Sequence, residues 1–391
     1  MLMFSYNAPT RLYIDCDINK LGEIIKNYGF KKVLFVYGGG SIKKIGLYDD
    51  IVKSLNDNGI EYVEVSGVEP NPKLSFVREV LAKKYDFDMV LAVGGGSVID
   101  TAKSIAVSYK EGLDPWKFNS HEVAPKSSMP VGVVLTISAA GSEMSSSAVI
   151  TNTEINVKQG FNSEVNRPLF AILNAEYTCT VSKYQTACGI VDIMMHTLER
   201  FICNEPSALA DEFALGLLKT VIKYGKIAME NPNDFQARKE LMLASSFSHN
   251  GLTHVGRTYK LRAHMFEHII SGFYDYVAHG AGLAIVWPAY SKYVYKNPLV
   301  TPLFAKLAYE LFGIEKSEDM LDDAYKGIVA MEDYFKSLGM PTKLDEVGIT
   351  KDEIERFSLV LLKGKDGIIK DVIDIDYEAA KAVFTLMFSE E

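Results

Sequence analysis

Five side chains in two stretches have the types and spacing to hold a metal. The stretch LRAHMFEHIISGFYDYVAHGAG, residues 261–282, carries His264, His268 and His279, and GIVDIMMHTLERF upstream carries Asp192 and His196. Residues four apart share one face of a helix, so Asp192 pairs with His196, and His264 with His268. Each pair sits among apolar neighbours, and His279 stands directly before a glycine. Imidazoles with a single carboxylate form the donor set of a catalytic divalent-metal site that keeps a position open. Such nitrogen and oxygen donors accept Fe²⁺, Zn²⁺, Mn²⁺, Co²⁺ or Ni²⁺ without choosing among them.

Upstream, glycine runs end apolar segments. Gly38, Gly39, Gly40 and Ser41 follow a strand pattern at residues 33–37, and Gly94, Gly95, Gly96 and Ser97 follow another at 89–93. Glycines let a backbone approach a diphosphate, and the next helix offers N–H donors and the positive end of its dipole. TISAAGSE, residues 136–143, is a third small-residue loop after a strand. Neither G-x-G-x-x-G nor the P-loop pattern is present. The first loop has no carboxylate to take a ribose 2′-hydroxyl, and Lys43 and Lys44 follow it, so NADP(H) is expected in preference to NAD(H).

These loops belong to an alternation of strands and helices. Strand patterns at 33–37, 62–65, 89–93 and 130–136, with helical patterns at 47–58, 77–84 and from 97, predict a mostly parallel sheet. Beyond residue 182 the segments 185–201, 207–230, 234–248, 259–273, 299–312, 319–338, 351–362 and 377–388 all have helical spacing. The expectation is an α/β, Rossmann-like dinucleotide-binding domain over 1–182 and an all-α metal-binding domain over 183–391. The 391 residues suffice for two cores. A net charge of −9 argues against a nucleic-acid surface, and no apolar run reaches membrane-spanning length. Four scattered cysteines without CxxC, and an N-terminus lacking a signal-peptide pattern, point to free thiols in the cytoplasm.

Together the motifs give a resemblance that runs collinearly through nearly the whole chain. YGGGSIKKIG, GVEPNPKL, AVGGGSVIDTAKSIA, LTISAAGSEMSSSAVITN, QTACGIVDIMMHTLERF and AHMFEHIISGFYDYVAHGAGLAIVWPAY resemble the iron-containing (group III) alcohol dehydrogenases, and within them the butanol-dehydrogenase-like, NADPH-using branch. The resemblance implies a dehydroquinate synthase-like two-domain architecture with Fe²⁺ or Zn²⁺ held by Asp192, His196, His264 and His279. It implies that His268 lies by the nicotinamide. Gly38, Gly39, Ser41, Asn71, Gly95, Gly96, Ser97, Asp100, Thr136, Ser138 and Lys158 fall on nucleotide-contacting positions. The implied chemistry is direct hydride transfer between NADP(H) and short to medium primary alcohols or aldehydes.

The resemblance also suggests a homodimer formed through an N-terminal edge strand, at residues 3–6 or 11–14. Two departures stand out. Ten residues separate His268 from His279 where nine are usual, so a bulge or wider turn is expected at 274–278; Asn174 replaces the usual acid, with an expected effect on packing or capping. Polyol dehydrogenases and a dehydroquinate synthase-like lyase are the alternatives. The lyase needs a basic cluster for its substrate, for which only Arg257, Lys260 and Arg262 are available near the histidines.

Overall fold

The computed structural model describes residues 4–203 and 205–390. The chain divides into two compact units, one of residues 7–182 with 231–250, the other of residues 4–6, 183–230 and 251–390.

The first unit is built on a six-stranded, wholly parallel sheet. Its strands are β1 (Arg11–Ile14), β2 (Lys32–Tyr37), β3 (Glu61–Val65), β4 (Met89–Gly94), β5 (Val131–Leu135) and β8 (Phe170–Leu173), in the order β1-β8-β5-β4-β2-β3. A separate antiparallel hairpin joins β6 (Ser147–Asn152) to β7 (Val157–Asn162). Strands β4, β5 and β8 are buried along their whole length, as a sheet covered on both faces requires. One face packs against Val77, Ile99 and Ile105, the other against Ile25, Ile51 and Leu55.

The chain passes from β2 outward to β3, then returns to place β4 on the other side of β2. That reversal is a topological switch point, where open α/β sheets bind ligands beyond the strand ends. The turns Gly38–Gly40 and Gly94–Gly96 flank it, at the carboxyl ends of β2 and β4. Strand β1 lies at the sheet edge and pairs with β8. Of the other suggested edge segment, Met3 lies outside the described residues, and residues 4–6 form no strand.

The second unit is mainly helical: Lys183–Phe201, Ala208–Glu230, Arg262–Phe273, His279–Val294, Thr301–Phe312, Met320–Ser337, Glu353–Leu362 and Tyr377–Leu386. The buried His279–Val294 helix packs against Lys183–Phe201 and Arg262–Phe273. Among the described residues, no helix is long and apolar enough to cross a membrane.

One helix differs from its expected placement. Phe235–Ser248, read from the sequence as part of the helical half, packs with residues 7–182. Its polar face explains the attachment. Ser246 Oγ donates to the buried Glu143 carboxylate (2.6 Å), and Ser245 Oγ accepts from the Ala139 N–H (3.2 Å). Gly141, at φ +66°, permits the close approach, since a Cβ there would lie 2.3 Å from the Ser245 carbonyl oxygen. In the other direction, Phe4 stands edge-on to His254 in the helical unit, at 6.1 Å between ring centroids.

Candidate metal and nucleotide sites

In the helical unit, Asp192 and His196 project from one turn of the Lys183–Phe201 helix, and His264 from the start of Arg262–Phe273. His279 opens the next helix. Asp192 Oδ1 lies 3.5 Å from His196 Nε2, 3.6 Å from His264 Nε2 and 3.7 Å from His279 Nε2. Donors at about 2.0–2.1 Å around a tetrahedral ion stand roughly 3.3–3.4 Å apart. Asp192 Oδ1 thus stands slightly farther from each nitrogen than it would around a bound ion.

Two of these atoms, Asp192 Oδ1 and His264 Nε2, are buried without any hydrogen-bond partner. Such orphaned atoms cost free energy unless something satisfies them, and a cation between them does so. The residues fit a divalent metal.

The outward nitrogens are held by groups that the sequence reading did not single out. His264 Nδ1 donates to Glu199, whose other oxygen accepts from the Ala263 N–H (2.5 Å). His279 Nδ1 donates to Glu267 Oε2 (2.5 Å). Each carboxylate fixes an imidazole with its Nε2 turned inward, the arrangement that orients metal-ligating histidines. Both follow a ligand by three residues on its own helix (His196 to Glu199, His264 to Glu267), a spacing that offered a clue. Burial opposes charge on His264, but the Glu199 and Asp192 carboxylates outweigh it and raise its pKa to about 9. The site is poised for positive charge.

His279 also clusters with Glu267 and His268. Because Glu267 engages Nδ1, Nε2 is the nitrogen left to face Asp192. His268 stands 6.4 Å from His264 and 5.7 Å from His279 between ring centroids. His196 is backed by Arg200, whose Nη1 donates to the His196 carbonyl oxygen (2.5 Å) and lies 3.3 Å from Nδ1. We expect Glu267→Gln to lower metal affinity by roughly 10–100-fold, with His279 left free to turn. Metal titration against a competing chelator reads this, and an unchanged affinity would remove Glu267 from the site.

The extra residue before His279 produces no bulge. The Arg262–Phe273 helix ends at Tyr274, the Val277 N–H bonds the Tyr274 carbonyl (2.9 Å), and the next helix begins at His279. A turn absorbs it. Asn174 caps a short turn by accepting from the Glu176 N–H (3.0 Å). Phe266 and Trp287 are buried, with Trp287 packed against Phe304 and Phe335.

In the first unit, the glycine turns expected to contact a nucleotide flank the switch point. Gly40 sits at φ +107°, and a Cβ at Gly39 would meet nothing within 4 Å. At Gly95 a Cβ would strike Ile137 at 2.2 Å, so glycine is needed for packing there. The Gly96–Glu111 helix starts with no side-chain cap, leaving its first N–H groups for a ligand, with Ser97 in its first turn. These features fit a bound diphosphate. Asn71, at φ +52°, accepts from Lys158 Nζ (2.9 Å).

Asp100 turns inward. Its oxygens accept from Ser142 Oγ (2.6 Å) and the Val149 N–H (3.1 Å). Beside it, the fully buried Lys103 donates to the carbonyls of Ser142 (2.7 Å), Ser145 (3.1 Å) and Ser147 (2.8 Å). Burial pulls this ammonium down to about 8 although Asp100 supports its charge. Asp100 and Lys103 therefore fix the loop that follows Thr136 and Ser138. Lys103 went unremarked in the sequence because a helix-borne lysine reads as solvated.

Two family profiles cover most of the chain: iron-containing alcohol dehydrogenase over residues 9–175, and the C-terminal part of the Fe-containing alcohol dehydrogenase family over residues 186–371. NADH-dependent butanol dehydrogenase A of Clostridium acetobutylicum is 40% identical over 388 residues, covering 98% of this chain and 99% of the relative. The chain belongs to the iron-containing alcohol dehydrogenase family. NADPH-dependent aldehyde reductase YqhD of Escherichia coli, 35% identical over 397 residues, covers 97% of this chain and 99% of its own. The crystal structure of NADH-dependent butanol dehydrogenase A from Thermotoga maritima superposes with a TM-score of 0.94 at 38% identity, covering 99% of both chains. The chain is thus an oxidoreductase of the alcohol dehydrogenase and aldehyde reductase type, and its family implies a divalent metal and a nicotinamide cofactor.

Proposed function

We propose that the protein is an NADP(H)-dependent alcohol dehydrogenase and aldehyde reductase for short to medium primary alcohols and aldehydes. It would hold Fe²⁺ or Zn²⁺ on Asp192, His196, His264 and His279. The observation that carries the metal reading is the convergence of three imidazole Nε2 atoms on Asp192 Oδ1 at 3.5–3.7 Å. When bound, the metal supplies Lewis acidity at a substrate oxygen, and the nicotinamide gives or takes a hydride.

The chain's own residues do the rest. Glu199 and Glu267 lock the imidazole orientations, so no reorganisation is needed when charge develops. His268 holds or moves a proton at the edge of the site, as a positioned imidazole acting as general acid or base does. The three cations that the sequence offers for a synthase's basic cluster are already engaged, Arg257 by Asp211 (2.5 Å), Arg262 by Asp371 (3.0 Å) and Lys260 by the Lys370 carbonyl (2.5 Å). With these three already engaged, the dehydrogenase is favoured over a synthase whose substrate carries a phosphate and a carboxylate. For the cofactor, the open space at Gly39 leaves room for a 2′-phosphate.

The test is purified protein with Fe²⁺ or Zn²⁺, butanal and NADPH or NADH, followed by loss of the reduced-nicotinamide absorbance. Faster oxidation of NADPH is expected. Inertness toward every C2–C8 aldehyde, with cofactor bound, would overturn the activity, and a preference for NADH would overturn the cofactor choice. In the same assay His268→Ala should keep its metal and lose mainly turnover.

A further inference from the structure

Beneath the Gly38–Ser41 turn lies a cluster that the proposed chemistry does not use. Glu64, on β3, accepts from two tyrosine hydroxyls: Tyr37 Oη to Oε2 (2.8 Å) and Tyr48 Oη to Oε1 (2.7 Å). Tyr37 ends β2, and Tyr48 lies in the first turn of the Leu47–Asp57 helix. Their rings meet edge to face at 5.8 Å, and both pack on Phe35. Above them sits Lys43, its Nζ 4.4 Å from the Tyr48 ring centroid and 5.4 Å from that of Tyr37. Among the described residues, no carboxylate forms an ion pair with Lys43 within 4 Å.

We propose that Glu64, Tyr37 and Tyr48 are a positioning platform that holds the Lys43 ammonium beside the Gly38–Ser41 turn, so that the site favours an adenosine bearing a 2′-phosphate. A surface lysine normally samples many rotamers and loses that entropy on binding an anion. Two ring faces confine it beforehand without neutralising it, and hydrogen bonds to a carboxylate make both rings richer in electrons toward the cation. The carboxylate is the second half of the device. An acid near the end of such a strand can accept from a ribose 2′-hydroxyl and so favour NAD. Here both oxygens of Glu64 accept from tyrosines, which turns a group of the wrong sign into the base of the cation's seat.

The inference rests on the NADP(H) reading above, and the test separates the two. Binding of adenosine 2′,5′-bisphosphate and of 5′-AMP is measured by calorimetry, which needs neither metal nor turnover. Wild type that binds the bisphosphate no better than AMP would overturn the reading itself. With the bisphosphate preferred, Lys43→Ala should weaken it roughly tenfold, about the effect of one lost ion pair, while AMP stays within about twofold. Tyr48→Leu, which removes a ring, should reproduce most of that loss. Glu64→Gln and Tyr48→Phe, which keep the packing, should each cost the bisphosphate about two- to fivefold. A merely structural cluster would move both ligands together. Equal losses for the two ligands, or an unchanged ratio in Lys43→Ala and Glu64→Gln, would overturn the platform.

Discussion

Asp192→Ala should lose metal and activity together. Asp192 Oδ1 faces the three imidazole nitrogens from a buried position, and no other described carboxylate faces all three. Removing it leaves three neutral donors and no negative charge in their midst. Lewis-acid stabilisation of several kcal/mol corresponds to a fall in kcat/KM on the order of 10³-fold or more. Metal analysis after dialysis, beside the aldehyde assay, checks both halves. Full metal content in Asp192→Ala would show that the donor set is misassigned. Comparing the melting temperature of the metal-free variant with that of the metal-free wild type separates loss of site from loss of fold.

Gly280→Ala is expected to do nearly as much damage without touching a ligand. Gly280 lies where the His279–Val294 helix meets Lys183–Phe201, and a Cβ there would fall 2.1 Å from the Cys188 carbonyl oxygen and 2.6 Å from its Cα. These are backbone atoms, so no side chain can swing aside and the helices must part. Cys188 is one turn before Asp192 and Gly280 is next to His279, so the separation falls directly on the pair that must converge. Overpacking of this kind costs about 1–3 kcal/mol, and a displaced ligand should lower metal affinity by roughly 100-fold or more. Gly216→Ala is the control, since a Cβ there meets nothing within 4 Å. Wild-type metal affinity and melting temperature in Gly280→Ala would show that this close approach does not set the ligand geometry.

The helix containing Gly280 is also the one the sequence concealed. From His279 to Val294 nearly every residue is buried, so no apolar stripe alternates with a polar face, and two glycines and Pro288 read as breaks. The helices with one wet face were legible to within a few residues: Ser207–Glu230 was expected where Ala208–Glu230 is found, and 319–338 where Met320–Ser337 is found. Strands β2, β4 and β5 announced themselves as apolar runs, while β6 and β7, which mix polar and apolar residues and lie outside the main sheet, did not.

Spacing brought Asp192, His196 and His264 into view because i and i+4 residues share a helical face. It could not tell His264 from His268, which differ by one turn, and the assignment came from resemblance. Glu199 and Glu267 were passed over for another reason, despite the three-residue spacing from His196 and His264. A glutamate on a helix is ordinarily solvated, and only the packing of three helices makes these two buried hydrogen-bond acceptors.

The segment at residues 231–250 has a consequence for how the protein is made. The loop from Thr136 to Glu143 is closed by Ser245, Ser246 and His249, the last with Nδ1 2.9 Å from the Ala140 carbonyl oxygen. A chain that has left the ribosome only as far as Ser182 holds all six strands of the sheet yet leaves Glu143 without its serine partners. The nucleotide-binding half therefore cannot complete its fold as a simple N-terminal unit during synthesis. It waits while the Lys183–Phe201 helix and the one after it emerge, and closes only when residue 250 is free. Expressed alone to residue 182, it should be a sheet with an open, aggregation-prone flank.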